Sequence, residues 1–284
     1  MAKNVLVTGG NAGIGLALCK RLVTEHGCYV FLGARNMERG NAAVSTIVEA
    51  FPDVVSKIEV LQIDTSSDSS VTAAAETLKS KGVTLYALVN NAGVGLAHGD
   101  VGGAESILNT NFYGPKRVTD AIAPLIDPSD GRIVNTSSGV ASMWLRGQDA
   151  ATKSLYTNPD ITFEELDESI RVNLAAGNLG MGAGYGLSKA GLTTLTLVQA
   201  KTYPKLKVVS LSPGFIDTAM TKGFGANLTP EQGCESSLKC LFGEVTSGYY
   251  YGSDGLRSPF TVTRDPGTPE YQGEANPDPL IYNK

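Results

Sequence analysis

The order of apolar segments constrains the fold of this chain more than any other feature of its sequence. Short runs that are apolar throughout alternate with longer segments of helical periodicity. Such runs are typical of strands in a parallel sheet that is covered on both faces. The repeating strand–helix order therefore predicts right-handed βαβ units and an α/β, doubly wound parallel sheet. The predicted strands cover residues 5–7, 29–32, 58–63, 85–89, 133–134 and 207–211, and the predicted helices include 37–51, 69–79, 107–126 and 190–201.

Two regions interrupt this alternation. Residues 143–184 contain TFEE at 162–165, a capping-box pattern, followed by Leu166 and Ile170 in helical phase with Phe163. This region predicts an inserted helical lobe before Tyr185. Residues 252–284 are rich in Gly and Pro, and they predict an extended tail that wraps the surface and frays at its end. The tyrosines at 249–251 predict a buried last strand.

Composition and charge exclude several classes of protein. The 28 acidic residues outnumber the 23 basic ones, which argues against a nucleic-acid partner because a phosphate backbone demands a basic surface. No apolar run is long enough to span a bilayer, and the N-terminus lacks a signal-peptide pattern. Four cysteines without a C-x-x-C pair and only two histidines predict reduced thiols and no metal site. We therefore expect one cytoplasmic domain spanning residues 1–284.

A glycine-rich loop follows the first predicted strand. It reads TGGNAGIG at residues 8–15, a G-x-x-x-G-x-G spacing that opens a predicted helix. Its glycines permit a tight turn, and the helix N-terminus offers unpaired N–H groups and a positive dipole end to a pyrophosphate. At the start of a βαβ series, the loop predicts a Rossmann-like dinucleotide site rather than an ordinary strand–helix turn. The residues expected to contact the cofactor are Gly9, Asn11, Gly13, Ile14 and Gly15.

The residue after the second strand bears on the choice between NAD and NADP. An NAD site places an acidic residue near this position to hold the ribose hydroxyls, whereas this chain offers Arg35, which suits a 2′-phosphate. Arg35 therefore favours NADP(H), and the alternative is a solvated surface side chain. Asp64 and Thr65 follow the third strand, where a side chain would reach the adenine edge of the cofactor. The alternative for this pair is a helix cap formed with Ser66 and Ser67.

A tyrosine and a lysine stand four residues apart at the start of a predicted helix, where they share one face. They are Tyr185 and Lys189. A free phenol has a pKa of about 10, and a neighbouring ammonium lowers that pKa by favouring the phenolate. The pair is therefore a candidate proton donor and acceptor. The same spacing is common on amphipathic helices, so it does not decide the function alone.

Taken together, the motifs resemble the signature set of the short-chain dehydrogenase/reductase family. The glycine-rich loop, NNAG at 90–93, NTN at 109–111, NTSS at 135–138, YGLSK at 185–189 and SPGFIDT at 212–218 follow in the family's order. The resemblance implies that Tyr185 is the general acid in reduction and that Lys189 lowers its pKa and holds the nicotinamide ribose. It implies that Ser138, or Ser137 if the alignment shifts by one, hydrogen-bonds the substrate oxygen, and that Asn111 anchors a water in a proton relay. It also assigns the cofactor's inner ribose to Asn91, Ala92 and Gly93, and the nicotinamide carboxamide to Pro213, Gly214, Ile216 and Thr218.

Within that family, the chain is most similar to the monomeric NADPH-dependent carbonyl reductases. The similarity rests on the glycine loop, on Ala34-Arg35, on NFYG at 111–114 and on the long gap between Ser138 and Tyr185. It implies a monomer, because the insertion covers helices that other members use to form tetramers. One departure is Ala12, where many of those reductases carry a basic residue that also contacts the 2′-phosphate.

The leading hypothesis is therefore NADPH-dependent reduction of a small-molecule ketone or aldehyde to an alcohol. One alternative is an NAD-dependent secondary-alcohol or steroid dehydrogenase on the same fold. Another is a non-catalytic NADP(H)-binding sensor or scaffold, against which the intact catalytic set argues. Residues 219–228 are either a mobile lid or an ordinary loop, Met143 and Trp144 contact substrate or pack the lobe, and His98 is a loop residue.

Overall fold

A mixed sheet runs through the residues that the computed structural model describes, which are 2–95 and 102–283. Its strands are β1 (Asn4–Thr8), β2 (Tyr29–Ala34), β3 (Ile58–Gln62), β4 (Ala87–Asn90), β5 (Arg132–Thr136), β6 (Lys207–Leu211), β7 (Tyr250–Tyr251) and β8 (Arg257–Ser258). They lie in the order β3-β2-β1-β4-β5-β6-β7-β8. Neighbouring strands are parallel except for β7 and β8, which are antiparallel. The predicted α/β parallel sheet is confirmed.

Helices cover both faces of this sheet. They are α1 (Gly13–Thr24), α2 (Met37–Ala50), α3 (Asp68–Ser80), α4 (Gly103–Leu108), α5 (Gly114–Ile122), α6 (Gly139–Arg146), α7 (Ala150–Tyr156), α8 (Phe163–Ala175), α9 (Tyr185–Thr202), α10 (Glu235–Phe242) and α11 (Pro279–Tyr282). The predicted helix at 107–126 is instead divided, because a π-helical turn, Asn109–Tyr113, separates α4 from α5. Within the described ranges, none of the helices has the length and apolar character needed to cross a bilayer.

The side chains of β1 show why its three central residues, 5–7, are all apolar. Val5 and Val7 join an apolar cluster with α1, α2 and α10, whereas Leu6 joins a second cluster with α3 and α5 on the opposite face. Successive residues of a strand point to opposite faces, so a strand covered on both sides needs an apolar residue at every position. Each such side chain contributes about 1.5–3 kcal/mol when it is fully buried.

The strand order reverses beside β1. The chain passes from β1 through β2 to β3 on one side, and β4 then pairs with β1 on the other side. In open α/β sheets this reversal leaves a crevice at the carboxyl ends of the strands, where ligands bind. Here the crevice lies after Thr8 of β1 and Asn90 of β4, and both residues are buried.

Helices α6, α7 and α8 form the inserted helical lobe. The predicted capping box is present: the Thr162 side chain accepts from the backbone N–H of Glu165, whose carboxylate accepts from the backbone N–H of Thr162. Leu166 and Ile170 are buried in a third apolar cluster against α9. The lobe begins earlier than predicted, since α6 starts at Gly139.

The end of the chain differs from the predicted frayed tail, and β7 is not the last strand, because β8 follows it. The Arg264 side chain is fully buried and forms an ion pair with Asp254. Tyr282 is also buried, and its carbonyl accepts a hydrogen bond of 2.7 Å from the backbone N–H of Asp265. A buried guanidinium needs fixed partners, so this segment is anchored to the fold rather than loosely wrapped around it.

Candidate active site

The glycine-rich loop is shaped to let a ligand approach its backbone. Gly9 has a φ of +64°, and a side chain there would lie 2.9 Å from the Cα of Ala92. A side chain at Gly15 would collide with the carbonyl of Gly9. Gly13 begins α1, and the N-cap residue Ala12 provides no side-chain hydrogen bond to the first turn. The N–H groups of that turn are therefore available to an anion.

Hydrogen bonds between the end of β1 and the residues that follow β4 hold this loop in place. The Thr8 hydroxyl accepts from the backbone N–H groups of Asn91 (3.0 Å) and Ala92 (3.1 Å). The Asn91 side-chain amide donates to the carbonyl of Thr8 at 2.9 Å. The structure thus brings the predicted Asn91–Gly93 segment together with the phosphate loop. The NNAG motif therefore serves in part to hold the phosphate loop in place.

The segment at 213–218 folds over the same loop. The Thr218 Cγ2 lies 3.3 Å from where a side chain at Gly13 would begin. Ile216 is buried, and a side chain at Gly233 would touch both Ile216 and Ile14, so these two residues are neighbours. Pro213 and Gly214 lead into this segment, and Asn11 lies half-buried in the loop below. The predicted carboxamide-binding segment therefore lies next to the phosphate loop.

Positively charged side chains lie beyond the carboxyl ends of β2 and β3. Arg35 is exposed, and it lies close enough to Asp64 for its charge to affect that carboxyl group. Partial burial acts against ionisation of Asp64, but hydrogen bonds from Ser66 and the charges of Arg35 and Arg117 leave its pKa below the ordinary value. The Asp64 carboxylate accepts from both the backbone and the hydroxyl of Ser66, so it shapes a local turn.

The helix cap that was the alternative role for Asp64 and Thr65 is formed by a neighbouring residue instead. Ser67 is the N-cap of α3 and accepts from the backbone N–H of Ser70. Thr65 is buried, and its carbonyl accepts a 2.7 Å hydrogen bond from Arg117.

Sequence analysis missed a second cation near Arg35. Arg39 is exposed in the first turn of α2, three residues after the Asn36 N-cap, whose side chain accepts from the Arg39 backbone N–H. The helix dipole disfavours a cation at this end of a helix. Glu38 in the same turn suits the dipole and Arg39 does not, and this mismatch is the sequence signal that sets Arg39 apart in the Arg35–Arg39 corner.

Tyr185 and Lys189 are both buried at the start of α9. The Lys189 ammonium donates to the carbonyl of Thr136 at 2.7 Å and lies 5.7 Å from the centre of the Tyr185 ring. A side chain at Gly93 would lie 3.5 Å from the Lys189 Nζ and 3.4 Å from the Asn111 Oδ1. The structure therefore brings four of the predicted site residues, on three separate segments, to one place.

The predicted lowering of the Tyr185 pKa was wrong for this structure. Burial raises the pKa of Tyr185 to about 12, and a hydrogen bond with Ser138 offsets only part of that rise. Burial also lowers the pKa of Lys189 to about 8. Removal of the phenol from water outweighs the favourable contacts of the phenolate. At neutral pH Tyr185 therefore keeps its proton, and burial by itself makes it a weaker acid than a free phenol.

The two serines after β5 have different surroundings. Ser137 is buried, and its hydroxyl donates to the carbonyl of Lys189 (3.0 Å) and lies 2.6 Å from the Thr193 hydroxyl, so it fastens α9. Ser138 is the N-cap of α6 and also bonds Tyr185. Of the two candidates, only Ser138 faces the phenol, which favours it as the substrate-binding serine.

Asn111 lies in the π-helical turn, which explains the divided helix. Its Oδ1 accepts from the backbone N–H of Val94 at 2.9 Å, and its Nδ2 donates to the carbonyl of Val94 (2.8 Å) and the hydroxyl of Ser188 (3.1 Å). Asn111 thus ties the NNAG segment to α9. π-helical turns are frequent at functional sites.

The other predicted features lie in the lobe, in the core or beyond the described residues. Trp144 is buried in the lobe and donates to the carbonyl of Asn178 at 3.1 Å, so it packs the lobe, whereas Met143 is exposed. His98 lies outside the described residues. The four cysteines are buried as free thiols. In the described part of the chain, no group of three or more His, Cys, Asp or Glu side chains is placed to hold a metal ion.

Comparison with known proteins identifies the family. The sequence model of the short chain dehydrogenases matches residues 3–154, more than half of the chain. The chain belongs to the short-chain dehydrogenase family. It is therefore an oxidoreductase of a family that binds nicotinamide cofactors, and the resemblance predicted from its motifs is confirmed.

Several reductases and dehydrogenases of the family resemble this short-chain dehydrogenase along most of its length. It is 32% identical over 281 residues to (+)-neomenthol dehydrogenase of Arabidopsis thaliana, with 87% of this chain and 94% of that protein covered. It is 31% identical over 251 residues to NADPH carbonyl reductase 1 of Homo sapiens, covering 82% and 88%. The solved structure of salutaridine reductase from Papaver somniferum superposes with a TM-score of 0.76 at 29% identity, covering 88% and 99%.

Proposed function

We propose that this enzyme reduces a ketone or aldehyde to an alcohol with NADPH. The observation that carries the proposal is the meeting of Asn111, Ser138, Tyr185 and Lys189 beside the phosphate loop. Human NADPH carbonyl reductase 1, a relative over most of the chain, is named for this chemistry. Its name supports both the direction of the reaction and the cofactor.

The residues around the crevice fit a dinucleotide. The glycine positions leave a cradle that side chains would fill, and α1 presents an uncapped first turn to the pyrophosphate. Arg35 and Arg39 would hold a 2′-phosphate, and Lys189 and the segment from Pro213 to Thr218 would hold the nicotinamide half. When bound, the nicotinamide supplies the hydride.

The protein supplies the proton and holds the carbonyl. Tyr185 is protonated at neutral pH, so it can donate its proton to the carbonyl oxygen as negative charge develops there, and the Lys189 ammonium would offset the rise in pKa that burial causes. The Ser138 hydroxyl hydrogen-bonds the same oxygen and the phenol. The Lys189 ammonium lies close enough to stabilise the tyrosinate left behind, and Asn111 keeps α9 and the NNAG segment in register.

The surroundings of Tyr185 favour a substrate with an apolar body. Met181 is exposed four residues before Tyr185, and Met143 is exposed on α6 close after Ser138. A side chain at Gly186 would lie 3.4 Å from both the Met181 backbone nitrogen and the Trp144 Cβ, so these two segments are adjacent. Exposed methionines adapt to apolar ligands of irregular shape.

The insertion supports a monomer. Helix α8 packs on α9, and a side chain at Gly191 would lie 2.8 Å from the Ile170 Cδ1 and 3.0 Å from the Phe112 ring. The outer surface of α9 is therefore covered from within the same chain, and we propose that this leaves no room there for a second subunit.

Tyr185→Phe tests the proposed chemistry. The variant should bind NADPH as the wild type does, yet lose carbonyl reduction by about 10²–10⁴-fold, because it lacks the positioned proton donor. The assay is NADPH oxidation with quinones, aldehydes, steroids and cyclic ketones. Tyr203→Phe is the matched control, since Tyr203 follows the far end of α9 and its hydroxyl donates to Asp120.

Two results would contradict the proposal. Undiminished turnover by Tyr185→Phe would exclude the assigned proton donor. A wild-type protein that binds NADPH tightly but reduces none of the carbonyl classes would instead favour the sensor or scaffold.

A further inference from the structure

Three hydroxyl groups meet behind the proposed catalytic centre. The Thr263 Oγ1 lies 2.8 Å from the Ser142 Oγ and 2.7 Å from the Tyr250 Oη. Ser142 and Tyr250 are buried, so the three groups satisfy one another away from solvent. Thr263, Ser142 and Tyr250 are called the hydroxyl cluster below. It joins three segments that are distant in sequence: the C-terminal segment, α6 and β7.

The cluster packs against the turn that carries Ser138. A side chain at Gly139, the first residue of α6, would lie 3.6 Å from the Thr263 Oγ1 and 3.9 Å from the Ser212 Oγ. Ser142 lies about one turn after Ser138 on the same helix. Because Ser138 is the N-cap of α6, its hydroxyl moves with this first turn. The cluster therefore packs beneath the turn that carries Ser138.

Tyr250 links the cluster to Ser212 and to Tyr185. Burial raises the pKa of Tyr250 to about 12, while its hydrogen bonds with Thr263, Ser142 and Ser212 act in the opposite direction. Ser212 directly precedes the segment proposed to hold the carboxamide. Tyr250 is also close enough to Tyr185 to contribute to the raised pKa of that phenol. The neutral Tyr250 phenol thus contacts residues that pack beneath Ser138 and the residue that precedes the cofactor-binding segment.

The residues around Thr263 fix it in place. Arg264, the next residue, forms an ion pair with Asp254, with Nη1 at 2.5 Å and 2.7 Å from the two carboxylate oxygens. Its guanidinium also donates to the carbonyl of Pro269 at 2.9 Å. The Asn283 side-chain amide donates to the carbonyl of Thr263 at 2.9 Å. A tail that served only as a surface wrapping would not need so many buried polar contacts.

We propose that Thr263 and Tyr250 are positioning residues for the reaction, and that the C-terminal segment completes the active site by holding Ser138 against Tyr185. Neither residue touches the reacting atoms: Thr263 acts through Ser138, and Tyr250 acts through Ser138 and also borders Ser212 and Tyr185. The inference rests on the proposed function, because that function gives Ser138 the substrate oxygen.

Three variants test the hydroxyl cluster. Thr263→Val removes one hydroxyl at nearly constant shape, Tyr250→Phe removes another, and Thr263→Ser retains the bonding group. The first two should lower kcat for carbonyl reduction on the order of tenfold, because small misplacement of a catalytic group is costly. The Kd for NADPH should stay unchanged in Thr263→Val, and Thr263→Ser should keep most of the wild-type kcat.

Thr268→Val is the matched control. Thr268 is a buried threonine of the same segment, and its hydroxyl donates to the carbonyl of Asp265, away from α6. Loss of this hydroxyl should lower the melting temperature without a selective loss of kcat. Full kcat in Thr263→Val and Tyr250→Phe, or equal losses in Thr263→Val and Thr263→Ser, would overturn the proposal.

Crystal structures of the wild type and Thr263→Val give a readout that does not need turnover. The Ser138 Oγ should move away from the Tyr185 Oη in the variant, and an unchanged position would overturn the proposal. A wild type that reduces no carbonyl would contradict the proposed function alone, since the position of Ser138 would still report on the cluster.

Discussion

Arg35→Ala should separate the two nicotinamide cofactors. Arg35 is exposed beyond β2, and its charge helps to lower the pKa of Asp64. The substitution removes a cation from the proposed 2′-phosphate site, and it also leaves the Asp64 carboxylate less compensated. A phosphate group carries about 1.5–2 negative charges near neutral pH, so both changes weaken its binding. NADH has no 2′-phosphate and should be indifferent to them.

The size of the effect follows from the exposure of Arg35. A hydrogen bond to a charged group contributes about 1.5–3 kcal/mol. Solvent and salt screen an exposed charge, which places this contact near the lower limit. Since about 1.4 kcal/mol corresponds to a tenfold change in affinity, the Kd for NADPH should rise on the order of tenfold. The difference should shrink as the salt concentration rises.

Fluorescence titration with NADPH and NADH measures both constants. The matched variant is Arg39→Ala, which removes the other cation of this corner and should weaken NADPH less strongly if Arg35 is the principal contact. An equal loss of affinity for both cofactors in Arg35→Ala would refute the charge argument. A wild type that prefers NADH would do so as well, and would favour the NAD-dependent alcohol or steroid dehydrogenase.

Three further predictions concern stability, the phosphate loop and assembly. Burial lowers the pKa of Lys189 from 10.5 to about 8, so the unfolded chain binds this proton more tightly and wild-type stability at this site should rise between about pH 8 and pH 10.5. The Lys189→Met variant should lack this rise in stability, have a higher melting temperature than the wild type at pH 7 and be inactive. A lower melting temperature than the wild type at pH 7 would contradict this prediction. Gly9→Ala should weaken NADPH binding in a fluorescence titration, because its φ of +64° and the nearby Ala92 Cα leave no room for a side chain, and unchanged affinity would refute the cradle. Light scattering should give the mass of one chain, 29.7 kDa, and a multiple of it would refute the monomer.

The central strands could be predicted because their physics is local and simple. Burial on both faces requires the central residues of β1 to be apolar, and residues 5–7 are all apolar in the sequence. The Thr162 capping box is likewise a local pattern with its own hydrogen bonds. The π-helical turn around Asn111 was not predictable, since its cause is a contact with Val94 and Ser188 rather than a local preference.

The site residues divide in the same way. Motif order pointed to Ser137 or Ser138, but only the fold shows that Ser137 fastens α9 while Ser138 faces Tyr185. The spacing of Tyr185 and Lys189 suggested a lowered phenol pKa, because sequence reports neighbouring charges and not the depth of burial. Arg264 was missed entirely, since an arginine in a Gly- and Pro-rich tail is ordinarily a surface residue.

The contact between Thr218 and Gly13 has a consequence for the order of events in turnover. Thr218 lies on the segment that folds over the phosphate loop, and a β-bridge between Ile216 and Leu228 closes the stretch that follows into a loop. A bound dinucleotide would thus be enclosed on both sides, and it could exchange only when this clasp opens. We expect the cofactor to enter first and leave last.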